Sequence, residues 1–167
     1  MKKVLLAFVA LFVLNLGCKK ISDVDRLCAC SPISNVPYLS LVIKNNNGGD
    51  LLSATTAGAF AKEQIQLYRK DANGEIKQLE FRLRPPFAYG TNQLFNYSQL
   101  VSMEIALSAK SINDTFYLKL GDNQLYELNL KVNEMKIEKL LINQQEAPLE
   151  NSTTGNAYVG TIFSMKL

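Results

Sequence analysis

The chemistry open to this chain is limited first by the absence of histidine among its 167 residues. Without an imidazole there is no Ser-His-Asp or Cys-His catalysis, no histidine metal ligand and no histidine pH switch. The remaining candidates for chemistry are carboxylates and three cysteines. Neither group forms a recognisable catalytic or metal-binding motif. The sequence therefore predicts a protein that is not an enzyme, with no catalytic residues, no metal site and no dissociable cofactor.

Three glutamates provide the best argument for an enzyme. Glu80, Glu104 and Glu127 are predicted on the outward faces of strands. Two carboxylates about 5–9 Å apart are the arrangement that glycosidases use. Surface carboxylates also come together by chance and pair with cations such as Arg82 or Lys119. A small carboxylate-dependent hydrolase is thus an alternative function, and it requires these glutamates to converge in a cleft.

The amino-terminal residues have the composition of an export signal. Lys2 and Lys3 precede an unbroken apolar run over residues 4–14, and Gly17 comes directly before Cys18. The run has the length of a signal-peptide core and is shorter than the roughly 20 apolar residues that a membrane span needs.

This order of features resembles the lipobox signal peptide of bacterial lipoproteins. In that family a diacylglycerol is attached to the cysteine thiol, a peptidase cleaves before the cysteine, and the new amino terminus is usually acylated. The resemblance implies that residues 1–17 are removed and that Cys18 is the lipidated first residue of the mature chain. Several acyl chains, at about 0.8 kcal/mol per buried CH₂, anchor a protein firmly to a membrane. Because Lys19 rather than Asp follows the cysteine, the resemblance implies the outer membrane, with the protein facing either the surface or the periplasm.

The net charge of the mature chain gives no support to nucleic-acid binding. The leader carries two of the 18 Lys and Arg residues and none of the 15 acidic residues, so 16 basic residues remain and the net charge is +1. There is also no cluster of basic residues interleaved with aromatic ones, as a nucleic-acid surface would have.

Residues 18–36 are predicted to be a flexible, lipidated tether, because they are polar, contain Pro32 and show no periodicity. Cys28 and Cys30 lie in this segment. A disulfide between them closes a very small, strained ring that is easily reduced. The alternatives are free or crosslinked thiols, or a functional pair, although two thiolates alone make an incomplete zinc site. A count of free thiols distinguishes these states.

Residues 37–167 are dominated by alternation of apolar and polar residues, the pattern of half-buried strands. Strands are predicted with one inward face each at Leu39/Leu41/Ile43, Ile65/Leu67, Leu79/Phe81/Leu83, Val101/Met103/Ile105/Leu107, Phe116/Leu118/Leu120, Tyr126/Leu128/Leu130/Val132 and Val159/Thr161/Phe163/Met165/Leu167. A helix over 98–109 is the alternative for the fourth of these. Residues 71–74 are of types that favour turns and lack the ligand spacing of a calcium loop, so they predict a hairpin. The prolines in 84–92 predict a loop.

Seven to nine strands at intervals of about ten residues, without any βαβ pattern, predict an all-β protein. The simplest architecture is an antiparallel β-sandwich. The layout also resembles small lipoproteins of undefined role in Gram-negative envelopes, which combine a lipobox with one Ig-like or transthyretin-like sandwich. The segments that carry this resemblance are NNNGGDLL, QIQLYRKDANGE and DTFYLKLGDN. It implies a fold and a location, and no catalytic residues.

Four aromatic residues in and after the proline-containing loop form the candidate ligand-binding surface: Phe87, Tyr89, Phe95 and Tyr97. Exposed aromatic rings beside Pro and Gly can stack on sugar rings or on a peptide. The alternative is that these rings cap one end of the sandwich.

Together, the sequence predicts a membrane-anchored envelope lipoprotein that acts as a non-catalytic binding or assembly module. Its partners are the membrane, through the lipid on Cys18, and a glycan or a protein. A ligand-free structural spacer is the second alternative, beside the hydrolase.

Overall fold

Alternation of apolar and polar residues produces strands with one inward face across most of the domain. The computed structural model describes residues 36–89, 93–133, 136–150 and 161–167. The leader, Cys18, Cys28, Cys30 and Val159 lie outside these residues. The strands are β1 (Leu39–Lys44), β2 (Ile65–Lys70), β3 (Ile76–Gln78), β4 (Arg82–Arg84), β5 (Phe87–Tyr89), β6 (Gln93–Phe95), β7 (Gln99–Ser102), β8 (Thr115–Leu120), β9 (Gln124–Asn133), β10 (Lys136–Ile142), β11 (Gln145–Glu146) and β12 (Phe163–Lys166). The helix α1 spans Met103–Ser108, and a 3₁₀ turn spans Lys62–Gln64.

Two sheets make the all-β sandwich that the sequence predicts. One has four strands in the order β12-β1-β7-β4, and the other has six in the order β11-β10-β9-β8-β2-β3. A separate hairpin pairs β5 with β6. Within the described residues, the pairings are antiparallel except that of β1 with β12.

The core lies between the two sheets and is built from the residues that the alternation places inward. Leu39, Leu41 and Ile43 of the four-stranded sheet belong to the same buried cluster as Leu67 and Leu118 of the six-stranded sheet. The predicted inward faces of these strands are therefore confirmed. Further members of the cluster are Ile65, Leu79, Leu100, Phe116, Leu120, Leu128, Leu130, Ile137, Leu140, Phe163 and Met165.

Strand β1 is buried on both faces, which alternation alone does not predict. Ser40 and Val42 point away from the shared core and are nevertheless buried. Val42 packs in a second small cluster with Phe95 of the hairpin and with Ile162. The prediction of a loop over 84–92 is wrong at 87–89, because Phe87–Tyr89 form β5 and pair with β6.

Residues 99–108 contain both a strand and a helix. The strand β7 ends at Ser102, whose hydroxyl accepts a hydrogen bond from the Ile105 backbone N–H at 3.3 Å and so caps α1. In α1 Ile105 is buried, but Met103 and Leu107 are 51% and 66% exposed. The prediction of one inward face through Met103 and Leu107 is thus wrong, because the side-chain period changes from 2 to 3.6 at the cap.

The carboxyl-terminal strand β12 runs parallel to β1 and is covered on its other edge by residues 148–150. The Glu150 N–H donates to the Ile162 carbonyl at 2.8 Å, and the Ser164 N–H donates to the Pro148 carbonyl at 2.8 Å. Phe163 and Met165 face the core as predicted.

Two carboxylates organise the turns. Asp71 accepts hydrogen bonds from the backbone N–H groups of Asn73 and Glu75, at 2.8 and 2.9 Å, and thereby forms the predicted hairpin turn between β2 and β3. Asp50 is buried and accepts from the N–H groups of Leu52 and Ser98, at 2.9 and 2.7 Å. Asp50 therefore fixes the loop after β1 to the start of β7.

The shared core can be tested with two leucines of opposite burial. Leu118 on β8 is fully buried, whereas Leu125 on β9 is 52% exposed. We expect Leu118→Ala to lower the free energy of unfolding by about 2–5 kcal/mol, because it leaves a cavity between the sheets. Leu125→Ala should change it by about 0.5 kcal/mol or less. Urea denaturation measures both, and equal effects would contradict the sandwich.

Candidate binding groove and aromatic cluster

The predicted aromatic residues come together, but mainly as a small core. Phe95 is completely buried, against Val42 and Ile162. Its ring centroid lies 5.6 Å from that of Phe87 and 5.9 Å from that of Tyr97, the latter in an edge-on contact. Since a ligand cannot reach Phe95, this ring supports the hairpin on the sheet rather than offering a stacking surface.

Cations of the protein itself lie over the partly buried rings of this cluster. The Lys44 ammonium is 3.8 Å from the Tyr97 ring centroid and 2.8 Å from Glu150 Oε2. The Arg84 guanidinium lies 5.3 Å from the Phe87 centroid and 5.7 Å from that of Tyr38. The side chain of Tyr89 lies outside the described part of the structure, so its predicted binding role remains a prediction.

Lys44 is held as a cation by its surroundings. Burial on its own lowers the pKa of Lys44, but the hydrogen bond and charge of Glu150, together with Tyr97, outweigh burial and raise that pKa above its ordinary value. The charged lysine thus joins β1 to Tyr97 and to the segment that covers β12.

An open groove of about 470 Å³ lies beside α1, and the sequence does not predict it. Its volume falls within the range of small-ligand and side-chain pockets, about 300–1,000 Å³. The residues that line it are Glu80, Phe81, Arg82, Val101, Ser102, Met103, Glu104 and Leu107.

The apolar part of the groove comes mainly from α1 and from Phe81, which directly precedes β4. Met103 and Leu107 are four residues apart and therefore share one face of the helix. Phe81 also lines the groove and is only partly buried. Methionine adapts its shape to different apolar partners. The groove can therefore accept an apolar side chain.

The charged part of the groove also fixes the position of α1. Glu104 Oε2 accepts a hydrogen bond from the Glu80 N–H at 2.7 Å, and the Ser102 hydroxyl donates to the Glu80 carbonyl at 2.6 Å. Glu80, two residues before β4, is thus bound to Ser102 and to the first turn of the helix. Arg82 adds one cation to the lining.

The three glutamates of the hydrolase alternative do not share one site. Glu80 and Glu104 line the groove, whereas Glu127 lies on β9, in register with Tyr117 of the six-stranded sheet. The described residues contain no group of three or more metal-ligating side chains. The groove therefore offers two carboxylates beside an apolar surface.

Sequence reasoning missed this groove because it assigned Met103 and Leu107 to the core. The available signal was Ser102, an N-cap residue, followed by Glu104 in the first turn of the helix. A second cavity, of about 410 Å³, lies between the loop over 52–62 and Leu83, and small side chains make up much of its lining.

Comparisons of this chain with protein-family models, with curated proteins and with solved structures find no match. Within the described residues, no helix has the length and the apolar composition needed to cross a membrane.

The Lys44–Glu150 pair can be tested against an exposed pair. The Lys44 and Glu150 side chains are 18% and 16% exposed, whereas Lys139 and Glu146, also paired at 2.7 Å, are 39% and 64% exposed. We expect Glu150→Gln to lower the free energy of unfolding by about 1–2 kcal/mol, because it weakens a charge-assisted hydrogen bond. Glu146→Gln should cost about 0.5 kcal/mol or less.

The same variant has a defined pH dependence. A raised lysine pKa stabilises the fold below its ordinary value, and that contribution is lost as the pH rises through the raised pKa. The stability difference between wild type and Glu150→Gln should therefore be constant near neutral pH and shrink at alkaline pH, as measured by urea denaturation. A difference that grows with alkaline pH would contradict the assigned role of Lys44.

Proposed function

We propose that this chain is a lipid-anchored protein of the bacterial outer membrane and that it acts as a non-catalytic binding module. Its groove beside α1 receives an apolar side chain from a protein held at the same membrane. The observation that carries the proposal is the exposure of Met103 and Leu107, at 51% and 66%, along a groove of about 470 Å³.

The anchor is supported by the sequence of the leader. A basic start, an apolar run and Gly17 before Cys18 occur in the order typical of bacterial lipoproteins. The lysine after Cys18 favours the outer membrane, facing either the surface or the periplasm. Lipidation brings a folded domain to a membrane without a transmembrane helix.

The groove is supported as the binding site by its apolar exposure. Large side chains left exposed together on one helix face mark interaction surfaces more often than isolated ones do. The hydrogen bonds of Ser102 and Glu104 to Glu80 hold α1 in place, so the groove is preformed. A preformed site binds with a smaller loss of conformational entropy.

The proposed anchor and the length of the tether favour a partner at the same membrane. Leu39 is in register with Ser102, so the chain enters β1 next to the start of α1. A tether over residues 18–36 spans at most about 65 Å when fully extended. A protein of the same envelope is therefore the occupant that this geometry fits.

The hydrolase remains a second candidate, because Glu80 and Glu104 both line the groove. The two functions can be distinguished with the double variant that combines Glu80→Gln and Glu104→Gln. A binding groove retains its partner in this double variant, whereas a carboxylate-dependent hydrolase loses turnover.

The anchor predicts a clear effect of Cys18→Ser. We expect the full-length variant to lose incorporation of radioactive palmitate and to leave the outer-membrane fraction of a density gradient, because the thiol that carries the lipid is gone. Cys28→Ser is the matched control and should keep both properties. Palmitate incorporation in Cys18→Ser would show that another residue carries the lipid.

The groove predicts a site-specific contact in intact cells. A photoreactive benzoylphenylalanine at Leu107 should give discrete adducts with an envelope protein, and Met103→Glu in the same chain should suppress them, because an apolar side chain in the groove would strip water from the new carboxylate. Leu94, which is 58% exposed on β6, is the control position and should give none of these adducts. Equal patterns from both positions, or adducts unaffected by Met103→Glu, would overturn the groove as the binding site, and the absence of adducts from position 107 would favour a ligand-free spacer.

A further inference from the structure

The outward face of the six-stranded sheet carries a second surface with a different chemistry. On β2 and β8 the core residues alternate with side chains on the opposite face. The outward residues of these two strands are Gln66, Tyr68, Lys70, Thr115, Tyr117 and Lys119. None of them lines the groove beside α1.

Two tyrosines in register form the centre of this surface. Tyr68 on β2 is directly opposite Tyr117 on β8, and their rings stack with centroids 5.2 Å apart and planes 18° apart. Tyr68 is buried, which leaves Tyr117 as the ring that a ligand can reach. The stack fixes the orientation of Tyr117, so this ring is rigid and preorganised.

Two lysines flank the tyrosine pair. The Lys70 ammonium lies 5.0 Å from the Tyr117 ring centroid. Lys119 is in register with Gln66, four residues before Lys70 on β2. At about 3.3 Å per residue, the backbone positions of the two lysines are roughly 13 Å apart along the strands, with the tyrosines between them.

Two other lysines of the same sheet are paired with carboxylates, and in the part of the chain that the structure describes these two are not. Lys131 is paired with Glu138 at 2.9 Å, and Lys139 is paired with Glu146 at 2.7 Å. Among the described residues, Lys70 and Lys119 have no ion-pair partner. Glu127 is the acidic side chain nearest in register, opposite Tyr117. The β2–β8 part of the face therefore presents two lysines without an ion pair to any described residue, and the ammonium of one of them lies over the Tyr117 ring.

We propose that this tyrosine–lysine face binds an acidic glycan. The exposed part of the Tyr117 ring contacts a sugar ring, and Lys70 and Lys119 pair with carboxylates of neighbouring sugar units. Because the two cations are separated by the tyrosines, an acidic chain of several units engages both, whereas a single uronic acid engages one. The site is distinct from the groove, so the module would hold a protein partner and an acidic glycan on different surfaces.

The experiment measures binding of polygalacturonate to the full mature lipoprotein in detergent micelles by isothermal titration calorimetry. Polygalacturonate whose carboxyl groups are methyl-esterified is the matched polymer without charge. We expect binding of the acidic polymer, weaker binding of the esterified one, and weakening of the former by added salt.

Variants assign the binding to the proposed residues. Lys70→Glu with Lys119→Glu should lower the affinity about tenfold, because it replaces two attractive contacts by repulsive ones. Lys62→Glu with Lys166→Glu carries the same change of net charge at exposed positions outside this face and should bind as wild type does. Tyr117→Leu should lower the affinity, Tyr117→Phe should restore it, and Glu127→Gln should raise it.

Three results would overturn the proposal. Equal affinity for the acidic and the esterified polymer would show that charge is not recognised. Equal losses in the two double-lysine variants would show a general effect of net charge. Tighter binding of single-stranded DNA than of polygalacturonate would show that the face recognises a polyanion other than a glycan. Met103→Glu changes the groove and leaves the tyrosine–lysine face intact. The glycan measurements therefore keep their meaning even if no partner is found for the groove.

Discussion

The constraint on which this structure depends is the burial of β1 on both of its faces. One face, with Leu39, Leu41 and Ile43, completes the core that the two sheets share. The other face needs a cover of its own, and Phe95 of the β5–β6 hairpin supplies it by packing on Val42. Aromatic residues that would otherwise be free for ligands are therefore used to close the four-stranded sheet. Lys44, at the end of the same strand, adds a contact to Tyr97 and an ion pair to Glu150.

This constraint explains which parts of the fold the sequence could predict. In a strand with one face in the core, apolar residues recur at every second position. This alternation can be recognised in the sequences of β1, β8 and β9. The cover over Val42 comes from a segment some fifty residues away and leaves no local signal. The parallel pairing of β12 with β1 also depends on tertiary packing. The sequence of β12 alternates as that of an antiparallel strand would, so it does not indicate the direction of pairing.

The candidate site was less predictable than the fold, for a specific reason. Val101, Met103, Ile105 and Leu107 fit a strand at intervals of two, while Met103 and Leu107 also fit a helix at an interval of four. The Ser102 cap decides between them, and its hydroxyl is also held by a hydrogen bond to the Glu80 carbonyl, 22 residues away, which leaves no local signal. Of the two interpretations of the aromatic residues, Phe95 fits the one in which the rings cap the sandwich, because its ring covers Val42 of β1.

We propose that the lipid anchor brings the groove to a partner at the same membrane. The most direct measurement compares photocrosslinking from position 107 in two forms of the chain. One form keeps its own leader, and the other is exported with an ordinary cleaved leader and stays unlipidated. Anchoring raises the effective concentration of the groove near membrane-held partners, by factors that reach 10² or more for linked sites. We expect the adduct yield to fall at least about tenfold in the unlipidated form. An unchanged yield from the unlipidated form would contradict this role of the anchor, because the groove would then find its partner without the membrane.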